Sequence, residues 1–355
     1  ETDSVPHSIW NVKDLRTFLI RLPYSTYIPK FSADLKSLQH LTSLRILDLS
    51  RARIEELPNE VGNLILLRNL QTLIIYGCLL RELPKGLGKL VNLRHLENKC
   101  TFKLKCLPPG IGRLTHLQTL SKFIASEECK ISYLKDLNKL KGSLEIINIK
   151  GVTQEAGAAE LKSKEHLRVL KLRFSDASFN DGHDQIHRVL DLLEPHPNLE
   201  ELEIYSYNGS KFPSWMEFRA KESPYIMLYR LTVSHCEQWK VRFQDRLPFI
   251  ANHNLLLNSL YIDNSPHLTL PQGLAQLTEL MTIHISHSKS LVRMSEELKQ
   301  LTLLKLLYIE DCPILALRCK KEVGEDWPII SHIPVIQIDD NMIHGGKPIF
   351  TTVCL

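Results

Sequence analysis

The sequence predicts an α/β fold in the form of a solenoid, in which stacked coils each contribute one strand to a parallel sheet. The first observation is a strand pattern with apolar residues at positions 1, 4 and 6 that recurs between Leu257 and Leu315. Its members are Leu257, Leu260 and Ile262, then Leu280, Ile283 and Ile285, and then Leu304, Leu307 and Ile309. The second observation is an apolar return half between these strands: Leu268, Leu270, Pro271, Leu274 and Leu277, then Leu291, Met294, Leu298 and Leu301.

The third observation is that every inward-pointing site of a coil is apolar. Side chains alternate along a strand, so one coil cannot bury its own leucines and must stack on a neighbour. This is the pattern of the leucine-rich repeat. It predicts a leucine-rich-repeat solenoid (a horseshoe) with a parallel concave β-sheet and an irregular or short-helical convex side.

The first part of the chain follows the pattern with local departures. Val5 and Ile9 match the middle of a repeat, so we expect a chain that opens within a repeat and was cut from something longer. Extra residues separate Leu64 from Leu70, which predicts a bulge or a lost repeat, and Asn98 at position 6 predicts a weaker strand. The predicted strands carry Leu15, Phe18 and Ile20; Leu44, Leu47 and Leu49; Leu70, Leu73 and Ile75; Leu93 and Leu96; and Leu117 and Leu120.

The middle of the chain adds longer connections to the same pattern. The charged stretch Ser126 to Asn138 predicts a surface excursion, and Glu155 to Ser163 predicts a short helix. A further amphipathic helix is predicted from Ile186 to Leu193, because apolar residues recur there at helical spacing. The predicted strands carry Leu144, Ile147 and Ile149; Leu167, Leu170 and Leu172; Leu199, Leu202 and Ile204; and Leu228, Leu231 and Val233.

These elements predict one domain and a tail. Residues 1–340 are expected to form a single array of about 12 repeats, truncated at the N-terminus and closed by a cap at 318–340. The cap ends in a predicted strand near Val335 and Ile338, and residues 341–355 are expected to be an unstructured tail.

Composition excludes several classes of function. The chain has 44 basic and 40 acidic residues and a formal charge of +4, so its overall field gives no argument for nucleic acid as a partner. No apolar run approaches the roughly 20 residues that a membrane span needs. Cys78, Cys236 and Cys312 fall in the turn slot of a repeat, which predicts reduced structural thiols and a reducing compartment.

Four segments go beyond a generic repeat. They are Leu44 to Leu64, Leu80 to Leu96, Leu193 to Met216 and Arg318 to Pro334. Periodicity does not demand the Pro-His-Pro-Asn-Leu of the third or the Gly-Glu-Asp-Trp-Pro of the fourth. Up to about Ile338 the chain resembles the leucine-rich-repeat portion of plant intracellular nucleotide-binding leucine-rich-repeat disease-resistance proteins, in their coiled-coil branch.

The resemblance implies a sensor module of an immune receptor. Such a module recognises a pathogen effector or a guarded host protein, and it keeps the receptor inactive until then. The expected partners are therefore proteins: the effector, the host target or the receptor's own nucleotide-binding domain. The resemblance also implies a cytoplasmic protein, or one held in the nucleus or at the inner face of the plasma membrane by other domains.

The same resemblance implies that ADP or ATP binds only in an upstream domain. This sequence contains no phosphate-binding loop, because Gly345-Gly346-Lys347-Pro348 lacks the spaced first glycine and the hydroxyl residue of that motif. We therefore expect no cofactor in this chain.

The residues available for binding are expected at position 5 of each strand, on the concave face. Tyr261, His284 and Tyr308 occupy this position on consecutive strands, and tyrosine supplies large contact area at a low entropic cost. We expect a partner-binding surface there. An aromatic ladder that only stiffens the array, or packs on another domain, is the alternative. The predicted partner-binding residues are Tyr261, His284, Tyr308, Glu203, Lys171 and Tyr205.

A change of charge lies on the same predicted face. Lys150, Arg168, Lys171 and Arg173 are basic, whereas Glu200, Glu201 and Glu203 follow on the next strand. Opposite charges on neighbouring strands stabilise a sheet by about 0.2 to 1 kcal/mol per pair, which is one interpretation. The other is that Lys150, Arg168 and Arg173 dock onto another domain of the same receptor.

Enzymatic function has little support in the sequence. His183 and His187 approximate a zinc-protease motif, but Asp184 replaces the catalytic glutamate and His183 is expected before the helix. We predict no catalytic residue and no metal site. The remaining alternative function is a repeat scaffold or a substrate adaptor, such as a ubiquitin-ligase receptor, that is unrelated to immunity.

Overall fold

The computed structural model describes residues 7–20, 35–57, 68–150, 156–175, 183–207, 209, 213, 215, 228–235, 257–270 and 273–345. The chain divides into two compact units. The first comprises Glu1–Lys171 and Leu192–Asn198, and the second comprises Leu172–Asp191 and Leu199–Leu355. Strand β8 (Leu167–Phe174) and helix α1 (His183–Leu192) each contain a boundary between the units.

The first unit contains a parallel sheet of five short strands in chain order. Next come β6 and β7, which pair in parallel with each other. The strands are β1 (Thr17–Leu19), β2 (Ile46–Asp48), β3 (Thr72–Ile74), β4 (His95–Glu97), β5 (Thr119–Leu120), β6 (Lys122–Ile124) and β7 (Gly142–Ile149). The return segments contain 3-10 helices at His7–Asn11, Leu35–His40, Lys85–Lys89, Ile111–Arg113, Ile131–Leu134, Gly157–Ala159 and Leu161–Ser163.

The second unit contains a run of parallel strands from β9 to β14, and β15 then pairs antiparallel with β14. The strands are β9 (Glu201–Tyr205), β10 (Arg230–Ser234), β11 (Ser259–Asp263), β12 (Thr282–Ser286), β13 (Leu306–Glu310), β14 (Val335–Ile338) and β15 (Asn341–His344). The return segments contain 3-10 helices Leu274–Gln276 and Glu296–Gln300, and the short helices α2 (Pro313–Arg318) and α3 (Trp327–Ile330) follow β13.

The return segments are short helical turns because their leucines are spaced by three residues. In one coil of the first unit the amide of Leu90 donates to the carbonyl of Leu87, and the amide of Leu93 donates to that of Leu90. A 3-10 turn repeats every three residues, so all three leucines face the same side, where they are fully buried. Helical propensity alone would not hold such short turns, whereas stacking of the coils does.

The predicted repeat is confirmed by the core of each unit. Leu47 and Leu73 of the first unit and Ile283 and Leu307 of the second are completely buried. Burial of one such side chain contributes roughly 1.5 to 3 kcal/mol, and the pattern supplies several per coil. Leu268 departs from the prediction, because it is 65% exposed and adds nothing to the core.

Three further expectations are corrected by the structure. Residues 126–138 are not only a surface excursion, because Ile131, Leu134 and Leu137 are buried in the first unit. The predicted helix from Glu155 to Ser163 is divided into two 3-10 turns by Glu160, whose φ is +47°. The predicted unstructured tail is wrong for Asn341–His344, which form β15 because the open edge of β14 offers unpaired backbone groups.

The weak strand expected at Asn98 has a compensating contact. The amide of Asn98 is fully buried, where it donates to the carbonyl of Lys122 at 2.8 Å and accepts from the Lys122 amide at 2.9 Å. These bonds tie β4 to β6 at the place where the five-stranded sheet ends. The extra residues between Leu64 and Leu70 lie largely outside the described residues, as does Cys236.

Candidate functional site

The strand register of the second unit brings the position-5 residues into one column. Glu203, Thr232, Tyr261, His284 and Tyr308 are successive partners across β9 to β13. Their neighbours along the strands, such as Leu260 and Leu307, are buried on the opposite side of the sheet. We call the side that carries the column the open face. Positions 3 and 7 of each strand share it, because side chains alternate.

Three rings of the column are in contact with one another. The ring centroids of Tyr261 and His284 are 5.4 Å apart, and those of His284 and Tyr308 are 4.4 Å apart in an edge-to-face arrangement. Both distances fall near or within the range in which aromatic pairs attract beyond their area of contact. We call these three residues the aromatic ladder. The Arg230 guanidinium extends it, since its carbon lies 5.3 Å from the centre of the Tyr261 ring.

The middle ring of the ladder is uncharged at neutral pH. Burial lowers the pKa of His284 to about 4, because the imidazolium would lose its hydration between the two tyrosines. Its Nε2 is buried, makes no hydrogen bond, and lies 3.8 Å from Oε2 of Glu310. His284 therefore acts as an aromatic spacer and does not itself neutralise the charge of Glu310.

Tyr308 ends the ladder beside several carboxylates. Burial is the largest cause that raises its pKa, and the charges of Glu310, Asp340 and Asp339 raise the pKa further. The ring is therefore a neutral phenol at any physiological pH, and its surroundings are negative.

A hydrogen-bonded carboxylate lies on the open face at position 7 of β11. Asp263 accepts from the hydroxyls of Ser234 at 2.7 Å and Ser286 at 2.8 Å, and it contacts Nδ1 of His287 at 2.9 Å. Burial opposes ionisation, but these bonds outweigh it and hold the pKa of Asp263 below its usual value. The same contact raises the pKa of His287. Asp263 therefore ties three neighbouring strands together.

Glu203 and Tyr205, which the sequence predicts to bind a partner, are engaged with each other. The Tyr205 hydroxyl donates to Oε2 of Glu203 at 2.7 Å, and Glu203 is only 8% exposed. The Arg173 guanidinium stacks on the Tyr205 ring at 3.6 Å from its centre. Arg173, Tyr205 and Glu203 therefore form one arginine–tyrosine–carboxylate group on β8 and β9, in which Tyr205 contacts the other two residues.

The other basic residues of the prediction differ in exposure. Lys150 is exposed, whereas Arg168 and Lys171 are half-buried. The guanidinium of Arg168 donates to the carbonyl of Glu165 at 2.8 Å. A role of Lys150, Arg168 and Arg173 in docking another domain stays a prediction.

Sequence reasoning missed Arg230, Asp263 and Glu310, although a signal was present. Arg230 is at position 3, and Asp263 and Glu310 are at position 7 of their strands, so the same alternation that selects position 5 also selects them. Glu201 at position 3 of β9 pairs with Arg230 at 3.3 Å. The open face is therefore three residues wide.

Among the residues that the structure describes, no group of three or more histidine, cysteine or acidic side chains could hold a metal ion. His183 begins α1 instead of preceding it, which corrects the expected start of that helix. Over the same part of the chain, no helix combines the length and apolar character that a membrane crossing requires.

Two predicted cysteine slots have the expected contacts. Sγ of Cys78 donates to the carbonyl of Leu49 at 2.9 Å, and Sγ of Cys312 donates to that of Glu310 at 3.2 Å. Both thiols are free and buried. Burial raises the pKa of Cys78 to about 12, so this thiol stays protonated at neutral pH.

Comparison with known proteins gives one family match. Residues 131–252 match the model of the R13L1/DRL21 leucine-rich repeats. This region includes β7 to β10 and the arginine–tyrosine–carboxylate group of Arg173, Tyr205 and Glu203.

Several plant proteins are similar to this chain. The chain is 35% identical over 235 residues to the disease-resistance protein RGA4 of Solanum bulbocastanum, a match that covers 60% of this chain and 23% of RGA4. A disease-resistance protein of Arabidopsis thaliana is 39% identical over 212 residues, which are 57% of this chain and 14% of that protein. The protein RGA1 of Solanum bulbocastanum is 29% identical over 354 residues, which are 92% of this chain and 35% of RGA1. The chain thus spans about a third or less of the length of these relatives.

Proposed function

We propose that this leucine-rich-repeat chain is the recognition module of an intracellular plant immune receptor, a proposal supported by its family match and by its similarity to disease-resistance proteins. In this proposal the module binds a pathogen effector or a guarded host protein, and it does so through the open face of the second unit. Leucine-rich-repeat domains are typically protein-interaction modules, which supports a non-enzymatic role in this proposal.

The observation that carries the proposal is the aromatic ladder. Tyr261 and Tyr308 are half-buried and are held in place by contact with His284, so binding freezes few side-chain rotations. Rigid tyrosines surrounded by polar groups are typical of the residues that dominate protein interfaces. Packing of the core does not explain these rings, because the core lies on the other side of the sheet.

The test is a double variant, Tyr261→Ala with Tyr308→Ala. Partners are selected with the wild-type protein from a defined library of secreted pathogen proteins and host proteins, and their affinities are measured for both proteins. We expect the double variant to lose most of the affinity while its thermal midpoint changes little. Phe102→Ala is the matched control, because Phe102 is an aromatic residue of the first unit that is 87% exposed. Equal binding by the double variant would remove the open face from the proposal.

Autoinhibition is the second part of the proposal. It is supported by the resemblance and by Lys150, which is exposed and therefore available to another domain. Nucleotide binding is assigned to a domain outside this chain. We expect Lys150→Glu in the full receptor to raise cell death in leaves without a pathogen, because charge reversal weakens an ionic contact. Unchanged background activity would contradict this part alone.

A further inference from the structure

The open face carries two complete arginine–tyrosine–carboxylate groups. Arg230 stacks on Tyr261 and also contacts Glu201 at 3.3 Å. Arg173 stacks on Tyr205, whose hydroxyl donates to Glu203. In the first group the guanidinium contacts both the ring and the carboxylate, whereas in the second the Tyr205 ring carries the guanidinium on its face and the carboxylate on its hydroxyl.

Tyr308 belongs to a third group that lacks its cation. Tyr308 is at position 5 and Glu310 at position 7 of the same strand. On β9 the same two residue types occupy these positions in the reverse order, with Glu203 at position 5 and Tyr205 at position 7. In the described part of the chain, no lysine or arginine nitrogen lies within 4 Å of the Glu310, Asp339 or Asp340 carboxylates. Lys289 is the nearby basic residue, and it contacts Asp311 at 3.9 Å.

The space beside Glu310 is open to a partner. Glu310, Asp339 and Asp340 line a cleft of about 420 Å³ together with residues 311–313. Glu310 is 46% exposed at its side chain. His284 contacts Glu310 but is neutral at pH 7, because its pKa is about 4. His287 is also near, and the charges of Glu310 and Asp311 help to raise its pKa, but among the described residues neither His287 nor Lys289 forms an ion pair with Glu310 within 4 Å.

We propose that this end of the open face takes a lysine or arginine side chain of the protein partner, seated between the Tyr308 ring and the Glu310 carboxylate. The inference rests on the proposed function and adds the chemistry of the contact. A cation would complete the third group in the way that Arg230 completes the first, with contacts to both a tyrosine ring and a carboxylate. An acidic segment would instead meet like charge, which excludes it.

The experiment selects random peptides on the immobilised wild-type protein and keeps those whose binding requires Tyr308. Each kept peptide is remade with every lysine or arginine replaced by glutamine, one at a time, and is measured on the wild-type protein and on Glu310→Gln. We expect one basic residue whose replacement lowers affinity about tenfold on the wild-type protein. On Glu310→Gln the same replacement has almost no further effect, because the two groups act as a pair.

Glu279→Gln is the matched control, because Glu279 is an exposed glutamate in the return half of a coil of the same unit. Its affinities should equal those of the wild-type protein. Peptides that bind through Tyr308 without a coupled basic residue overturn the inference and leave the proposed function standing. Absence of any Tyr308-dependent peptide also overturns the inference. If Tyr261→Ala with Tyr308→Ala changes no binding at all, the proposed function fails with it.

Discussion

Lys164 offers a quantitative test of the folded core of the first unit. Its side chain is completely buried, and Nζ donates to the carbonyl of Leu134 at 2.7 Å and to Oδ1 of Asn138 at 3.0 Å. The ammonium therefore closes the end of the 3-10 turn Ile131–Leu134 in the preceding coil. Burial lowers the pKa of Lys164 to about 8 from its ordinary 10.5, although Glu160 and Asp136 oppose this shift.

The direction of the pH effect follows from these two values. Between pH 8 and 10.5 the unfolded chain holds the proton of Lys164 more tightly than the folded chain does, so the free energy of unfolding rises with pH. For pKa values of about 8 and 10.5, the gain between pH 7 and pH 9.5 is about 2 kcal/mol. Lys164→Met removes the titrating group and keeps most of the apolar side chain, so it removes this gain.

The assay is urea unfolding of the wild-type protein and Lys164→Met at pH 7 and pH 9.5, followed by circular dichroism. The quantity of interest is the change with pH in the difference between the two proteins, because other titrating groups cancel in it. Lys85→Met is the control, since Lys85 is exposed in a return segment of the same unit. It should follow the wild-type protein at both pH values. If the free energy of unfolding of Lys164→Met rose with pH as much as that of the wild-type protein, the claim that burial lowers the pKa of Lys164 would be refuted.

Three further predictions concern stability. Leu307→Asp should unfold the coils around β13, because it buries a charge at a cost of several kcal/mol, and a normal thermal midpoint would contradict the strand register. Asn98→Leu should lower the free energy of unfolding by about 1 to 3 kcal/mol, because two hydrogen bonds to the β6 backbone are lost; a more stable variant in urea unfolding would refute the compensating contact. Asp326→Asn should lower the thermal midpoint more than Glu325→Gln, because the buried Asp326 and the exposed Glu325 share Arg318; equal effects would contradict this difference.

The fold could be predicted because the repeat is redundant. A single misplaced leucine changes little when each coil repeats the same constraint, and stacking fixes the register of the next strand. Tyr261, His284 and Tyr308 were therefore placed on neighbouring strands by counting from the leucines. Their ring contacts follow from that register.

The departures from the pattern have local causes that counting does not capture. The segment around Ile131 contains many charged residues, yet its few apolar ones lie three apart and reach the core. Asn98 interrupts the apolar pattern, but the backbone carbonyl and amide of Lys122 form hydrogen bonds with both polar atoms of its side chain. Leu268 fits the spacing but is exposed. The spacing of apolar residues predicts which side of the coil a residue faces. Whether that side is buried depends on the neighbouring coils.

The turn after each strand of the second unit imposes a constraint of its own. The residue that follows position 7 has a positive φ, between +44° and +55° in this unit. Asparagine, aspartate and histidine tolerate this conformation better than most residues, so they are favoured there for a backbone reason. The residues at this place are Ser206, His235, Asn264, His287 and Asp311, and Asp339, one place earlier in its own strand, also has a positive φ of +50°.

This backbone requirement explains why some of the carboxylates near Tyr308 are present, but it does not explain Glu310. Asp311 and Asp339 suit the turn conformation, and Asp339 also accepts a hydrogen bond from the Asp311 amide at 2.8 Å. Glu310 has extended backbone at position 7 and is not required by the turn or by the core. Glu310→Gln should therefore lower partner affinity without changing the thermal midpoint, whereas Asp311→Ala should lower the midpoint because alanine resists a positive φ. The opposite outcome, in which Glu310→Gln destabilises the protein and leaves binding intact, would make Glu310 a structural residue.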